Sequence, residues 1–412
     1  MMLAIAILGC ASLCWALVHR KLRAAWITGP MIMAGLGALV GALSVNGSAE
    51  FFDSHLALYI AEVILALLLF SDAVDVRGSV RAQFGPVPLR LLFIALPLSV
   101  ALVIAFGFVL PLDLSTAAIL AVACISIPAD FSPELSILKD KKVPNRVRRW
   151  LSVESGYNDG LVSPLLLGAL ALGASAQASK NDALGALLKA APAGLLAIVI
   201  GAVLGVALGY LFRTALAKGW ADRQSIRIGI VAIPITTFGL AVTLGANGFV
   251  AAFVCGIAFR FARGREWEDK VELTFVEDLT SLVNLMLWFA FGLSAVILIG
   301  ATYDWWPTLF LALFALTLGR FVPVWLALSK SKVRPKDRLF MAAMGPRGAA
   351  SIVFGLLAFN ALPPEEGYPV LAATTMVVLG SLILHGAGGA ILINKLYGQR
   401  HGNPDPAPTS LP

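Results

Sequence analysis

"SIPADFSP" (Ser126–Pro133) and "AAMGPRGAAS" (Ala342–Ser351) are the two stretches on which the reading of this chain turns. Each sets one charged residue, Asp130 or Arg347, among helix-breaking residues inside a long apolar run. Pro128 and Pro133 bracket the first, and Gly345, Pro346 and Gly348 surround the second. Proline removes a backbone donor and clashes with the preceding turn, so both runs are expected to kink or unwind there. At membrane depth, backbone without its own hydrogen bonds is tolerated only where it is buried in protein or lines a cavity. The two breaks therefore mark an interior site.

The surrounding composition places them in a bilayer. Of 412 residues, 59% are apolar and 13% charged, with a mean hydropathy of +0.86. That balance lies outside the range of soluble globular domains and predicts an all-α polytopic membrane protein. Apolar runs near residues 2–18, 27–45, 56–74, 89–109, 114–135, 150–172, 184–212, 226–245, 248–262, 280–299, 306–328, 340–361 and 368–394 predict thirteen transmembrane helices. The interrupted fifth and twelfth are seven apart, an odd offset, so they cross in opposite directions. This is the pattern of inverted-topology repeats with a binding site where the broken helices meet. Residues 89–172 and 300–394 are then the two halves of a transport core. Residues 1–88 and 173–299 supply scaffold and dimerisation helices, and residues 395–412 form a short disordered tail. No appended soluble domain is expected.

The net charge of +7 does not point to nucleic acid, because the basic residues keep to alternate loops. Arg20, Lys21 and Arg23 follow the first run, Arg77 and Arg81 the third, and Lys139, Lys141, Lys142, Arg146, Arg148 and Arg149 the fifth. Later clusters keep the same alternation, while the opposite loops carry Glu50, Asp53, Asp113, Asp304, Glu365 and Glu366. By the positive-inside rule the N-terminus is outside and the C-terminus cytoplasmic, in a cell membrane. The first run lacks a basic start and a small-residue cleavage site, so it reads as a membrane helix rather than a removable signal. Cys10, Cys14, Cys124 and Cys255 lie in apolar runs without metal-ligand spacing and read as small core residues. His385, in the last run, reads as a packing or hydrogen-bonding residue rather than a proton relay.

Helix six carries "VESGYNDG" (Val153–Gly160), polar where packing alone asks for apolar residues. Counted from Trp150, Asp159 stands about nine residues, or ~13 Å, along the helix. Spacing of four puts Ser155 with Asp159 on one face and Glu154 with Asn158 on the next. A carboxylate with hydroxyl, amide and carbonyl oxygens is the ligand set of a hard cation, and Asp130 with the freed carbonyl of Ala129 would complete it. The cation ligands proposed are thus Asp159, Asp130 and Ser155, aided by Asn158 and Ala129. A buried carboxylate holds a proton or a metal ion, not readily both, and that competition is the minimal mechanism of cation/proton exchange. One carrier charge neutralised in both moving states makes the exchange 1:1 and electroneutral. Asp130 has a second reading as the cap of a half-helix. Glu154 is paired with Arg320 by compatible depth, since an unpaired embedded charge is costly. Arg347 either satisfies carbonyls freed by the break or offsets Asp130. Asp72 reads as a solvated residue at the cytoplasmic mouth, with a funnel role as the alternative. Glu62 receives no role, and Glu277 and Asp278 read as acids at a helix N-terminus.

These elements, with "LLLFSDA" at 67–73, "GANGFVAAFVCGIAF" at 245–259, "VEDL" at 276–279, Gly319–Arg320 and "LILHG" at 382–386, resemble the NhaP-type sodium/proton antiporters of the cation:proton antiporter-1 family. The resemblance implies thirteen helices, a homodimer, elevator-like movement of a six-helix core, and Asp159 beside Asn158 as the carrier of cation and proton. It also implies the Glu154–Arg320 ion pair, and Asn158 before the aspartate is the family's mark of electroneutral exchange. Two departures stand out. Ala129 replaces a threonine and Phe131 a proline, so one hydroxyl ligand is lost and the choice among Na+, Li+ and K+ stays open, with Na+ favoured. No enzyme activity, cofactor or resident metal is expected. An intramembrane aspartyl protease using Asp130 and Asp159, and a passive cation channel, are the alternatives.

Overall fold

The computed structural model describes residues 2–24, 28–43, 55–75, 85–131, 137–138, 140–174, 183–264, 272–298 and 305–398. Its regular structure among these residues is helical throughout. In chain order the helices are α1 (Met2–Ala24), α2 (Gly29–Leu43), α3 (His55–Asp75), α4 (Pro86–Val109), α5 (Thr116–Ser126), α6 (Asn145–Ala174) and α7 (Ala183–Ala217). They continue as α8 (Arg223–Thr243), α9 (Gly248–Arg263), α10 (Thr274–Ile297), α11 (Trp305–Ala327), α12 (Pro335–Ala343), α13 (Ala349–Ala361) and α14 (Pro364–Tyr397). Among the described residues, six are long and apolar enough to cross a membrane by length and composition: α4, α8, α10, α11, α14 and residues 192–217 of α7. The chain is a helical polytopic membrane protein.

Local chemistry explains where the helices bend. Pro97 would clash with the Phe93 carbonyl one turn earlier, and α4 takes a π-helical turn over Leu91–Ala95 at that point. In α11 the helix breaks at Thr317, whose hydroxyl donates back to the Leu313 carbonyl at 2.6 Å. A second π-turn, Leu382–Ala387, interrupts α14 around His385. Asn247 caps α9 by accepting from the Phe249 and Val250 amides at 3.0 and 3.1 Å.

Away from the polar centre the helices pack through glycine. Gly201, Gly205 and Gly209 of α7 face the α9 backbone, where an added Cβ would meet the carbonyl oxygens of Ala251, Cys255 and Phe259. Gly37 of α2 and Gly292 of α10 do the same reciprocally, against Phe289 and Ala34. Small residues at these positions let the backbones approach closely, which is how helices gain contact in lipid. Both stripes are thus occupied within one chain.

Several boundaries and placements differ from the sequence reading. Helix α6 starts at Asn145, directly after Pro144, rather than near Trp150. Glu154 and Asp159 therefore follow its first residue by nine and fourteen positions, about 14 and 21 Å along the axis. The earlier start follows from proline favouring a helix N-terminus, where its missing N–H costs nothing. Helix α14 runs to Tyr397, so residues 395–397 belong to it and not to the tail, whose later part lies outside the described residues. Cys124 and Cys255 are buried, but Cys10 and Cys14 are exposed, four residues apart on one outward face of α1. Their apolar surroundings were the only cue, and in a bilayer an apolar helix face points outward as readily as inward. His55 and His401 have side chains outside the described residues.

Candidate functional site

Helix α5 stops at Ser126 and the chain runs without regular helix to Phe131; α12 stops at Ala343 and α13 begins at Ala349. The two interruptions touch. The Asp130 amide donates to the Pro346 carbonyl at 2.7 Å. Breaking helices leaves their end groups without intrahelical partners, and each needs one from elsewhere.

The carbonyls at the end of α5 are met from the other break. Arg347, 0% exposed, aims Nη1 at the Ile127 and Pro128 carbonyls, the latter at 2.9 Å, and Ser351 donates its hydroxyl to the Ile125 carbonyl at 2.8 Å. The end of α12 is met by Arg320, which donates from Nε to the Met344 carbonyl at 3.0 Å and from Nη2 to that of Met341 at 3.4 Å. A cation thus stands at each negative helix terminus. At the positive start of α13, Asp130 Oδ2 accepts the Ala349 amide at 3.0 Å. The Phe131 amide donates to Ser155 Oγ at 3.3 Å. Asp130 therefore caps a helix, and the helix it caps is that of the opposite break. Gly348 and Gly345 permit these approaches: a Cβ on them would run into the Asp130 carboxylate and the Arg320 side chain respectively.

Helix α6 brings the remaining polar groups alongside. Glu154 and Arg320 form a two-pronged ion pair, Oε1 to Nη1 at 2.8 Å and Oε2 to Nη2 at 3.1 Å, with both residues 4% exposed. The fork geometry satisfies both carboxylate oxygens, which is what makes a buried pair tolerable. Asn158 donates from Nδ2 to the Ala129 carbonyl at 2.8 Å, holding α6 against the first break. Asp159, 4% exposed, keeps Oδ1 without a hydrogen-bond partner among the described residues, as does Oδ1 of Asn158. The charges that act on Asp159 are the carboxylates of Asp130 and Asp72 and the guanidinium of Arg347. Asp72 itself is exposed. Sequence reasoning passed over Ser126, which is fully buried at the last turn of α5 with its hydroxyl also without a partner among the described residues. The only available cue was its place two residues before Pro128. Among the described residues, no group of three or more His, Cys, Asp or Glu gathers as a metal site.

The outer ends of the broken helices are tied as well, by residues that sequence reasoning did not single out for this role. Glu366 at the start of α14 accepts the Ser115 amide at 3.0 Å and its hydroxyl at 2.9 Å, just before α5. At the other end Asp337, in the first turn of α12, pairs with Arg146 of α6 at 2.7 Å and accepts from the Tyr397 hydroxyl at 3.0 Å. Each acid lies in the first turn of a helix opened by proline, Pro335 or Pro364, which was the legible signal. The start of each broken helix is thereby joined to the third helix of a run of three, α14 for α5 and α6 for α12.

Residues 7–395 match the sequence profile of the family described as sodium/hydrogen exchanger, transmembrane. The chain belongs to that family. This exchanger is 23% identical over 420 residues to a Na(+)/H(+) antiporter of Schizosaccharomyces pombe, the alignment covering 87% of this chain and 84% of the relative. It is 26% identical over 374 residues to the K(+)/H(+) antiporter NhaP2 of a Shewanella species, covering 87% of this chain but 60% of that one. Its fold matches the sodium proton antiporter MjNhaP1 from Methanocaldococcus jannaschii at pH 8, with a TM-score of 0.78 at 21% identity over 97% of this chain and 99% of the other. The exchanger is a cation/proton antiporter of the NhaP type, a transporter and not an enzyme.

Proposed function

We propose that this chain exchanges one monovalent cation, Na+ by preference, for one proton, with the Asp159 carboxylate as the carrier of both. The observation that carries the reading is the buried Oδ1 of Asp159, without a hydrogen-bond partner among the described residues and acted on by Asp130, whose amide joins the two broken stretches. A carboxylate oxygen left without protein donors at that depth is costly unless it binds a proton or a cation, and the two exclude one another. Ser155 and Asp130 are the further cation ligands, with the Ala129 carbonyl held nearby through Asn158. Arg347 and the Glu154–Arg320 pair keep the crossed backbone in shape without taking part in binding. Asp72 is placed at the cytoplasmic approach.

The scheme has thirteen crossings, with residues 89–172 and 300–394 as inverted repeats that move together as an elevator against residues 1–88 and 173–299. It has a homodimer in the cell membrane, N-terminus outside and C-terminus in the cytoplasm. Because either bound species neutralises the same carboxylate, the moving core carries the same charge in both directions and the exchange is electroneutral. Neither rival gains support: a protease needs both aspartates for one proton, whereas Asp130 Oδ2 is committed to the Ala349 amide. A channel needs repeated pore loops or charged rings, and the charges here are matched pairwise to helix ends.

The test is dissipation of a pH gradient in inside-out vesicles on adding Na+, Li+ or K+, with Asp159→Asn as control. A response to Na+ that vanishes in the variant is expected. Absence of response to all three ions across the neutral range, in folded and inserted protein, would overturn the proposal, and a response to K+ alone would replace Na+ as the substrate.

A further inference from the structure

The last helix reaches into the crossed breaks through one peptide unit, the Pro346–Arg347 bond. Its carbonyl accepts the Asp130 amide at 2.7 Å, and its N–H donates to Ser381 Oγ at 2.7 Å. Ser381 sits one residue before the π-turn of α14, and its Oγ lies 3.1 Å from Nδ1 of His385 within that turn. Ser381 and His385 are both buried, His385 completely; the charged groups acting on the ring are Arg347 and Arg320, and the Ser381 and Ala343 backbones bear on it as well.

We propose that His385 is a positioning residue for the cation site, acting through Ser381 on the peptide that holds Asp130. The proton count decides its state. Because Ser381 Oγ accepts from the Arg347 amide, its own hydrogen needs an acceptor, and among the described residues Nδ1 of His385 is the one within reach. Were Nδ1 protonated, both groups would offer hydrogens to each other and the hydroxyl hydrogen would be left buried without a partner. The imidazole is therefore the neutral tautomer with its proton on Nε2, the nitrogen not turned to the Ser381 hydroxyl. The π-turn has a purpose in this scheme: a local i→i+5 turn alters the ring's register on α14 relative to regular helix, and such turns are frequent at functional sites. A hydroxyl that donates to an imidazole is polarised and is the better acceptor for the Arg347 amide. That steadies the Pro346 carbonyl against Asp130, and with it the Asp130 carboxylate at the start of α13.

The inference rests on the antiport reading, so its test has an arm independent of transport. NMR of the purified full chain labelled with ring-15N histidine is expected to show one imidazole with Nδ1 unprotonated and Nε2 protonated. That signal should disappear in His385→Asn, and its Nδ1 resonance should move in Ser381→Ala. A protonated Nδ1 at this residue would overturn the proposal. In vesicles, Ser381→Ala and His385→Leu are each expected to raise the apparent KM for the cation by about tenfold, the size of one lost buried hydrogen bond, while kcat changes by less than about twofold. His385→Asn, whose side-chain oxygen stands where Nδ1 did, should return KM to within about threefold, and His385→Gln, which mimics Nε2, should not. An unchanged KM in Ser381→Ala, which removes one atom and leaves the helix intact, sinks the idea even if His385→Leu does not fold. So does an Asn variant as impaired as Gln. If the wild type exchanges no cation, the antiport reading fails, and the NMR result still decides the Ser381 link on its own.

Discussion

The crossed breaks and the glycine seams solve the same problem in opposite ways. At the breaks, backbone groups without helical partners are brought together and several are matched by a charge or a hydroxyl: Arg347, Arg320, Asp130, Ser155 and Ser351. Along α7–α9 and α2–α10 the backbones keep their helical bonds, and contact comes from having no side chain at all at Gly201, Gly205, Gly37 and Gly292. The first arrangement has many polar groups with discrete partners, and among the described residues it leaves Asp159 Oδ1 without one. The second is close-packed, backbone against backbone. A transporter needs both: a polar centre able to change its ligand, and rigid walls that do not respond when it does.

That contrast can be broken first at the carrier. Asp159→Asn should abolish cation-dependent proton movement while leaving thermal stability in detergent near the wild-type value, because its Oδ1 has no hydrogen-bond partner to lose among the described residues. A large loss of stability would move Asp159 from carrier to structural residue. Glu154→Gln should destabilise by about 3–5 kcal/mol, since Arg320 would keep its charge without its fork-shaped partner. Thermal unfolding followed by size-exclusion chromatography reads this, and exchange of the two residues between positions should recover part of the loss.

The seams should respond to size and not to charge. Gly37→Val forces apart α2 and the Phe289 carbonyl, at about 1–3 kcal/mol. Gly37→Ser should cost less, and neither should alter which ion is exchanged. An altered ion preference would show the walls and the centre to be one unit. Asn247→Ala removes the cap of α9 and should cost about 1 kcal/mol, with no change in apparent cation KM.

The smallest effect lies outside the membrane. Asp222 caps α8, and hydrogen bonds from the Ser225 hydroxyl and amide hold its carboxyl below the usual carboxylate range. A depressed pKa in the folded state contributes stability above the ordinary carboxylate value, and that contribution is lost as pH falls through the folded value. Ser225→Ala should therefore flatten the acid side of the stability profile slightly, and leave it unchanged at neutral pH apart from a constant offset.

Much of this was legible in the chain. The prolines around Asp130 and the Gly-Pro-Arg-Gly element around Arg347 marked stretches where regular helix is costly, and α5 ends at Ser126 and α12 at Ala343 beside them. The charge of Glu154 demanded a partner, and Arg320 was the embedded cation at compatible depth. Other features were not legible. Asp130 had two readings, cap or ligand, and only its distance to the Ala349 amide shows which helix it caps. The α6 start at Asn145 was missed because hydropathy marks the bilayer and not the helix, which extends beyond it. Cys10 and Cys14 were misplaced because an outward face in lipid has the same composition as an inward one. Glu366 read only as a loop acid and Asp337 was not singled out, and their partners lie 251 and 191 residues away.

By itself, then, the sequence determined that the chain is a helical membrane protein, and it marked the stretches where regular helix is costly and the charges that ask for a partner. Those conclusions follow from local rules: the cost of proline and glycine in a helix, and of charge in hydrocarbon. The tertiary structure decided which group satisfies which. An orphaned carbonyl accepts from any donor that reaches it, so the assignment of Arg347 to the end of α5, Arg320 to the end of α12 and Ser381 to the Arg347 amide is a property of three-dimensional placement. Hydrogen bonds of a few ångströms between residues far apart in the chain have no signature in composition or spacing.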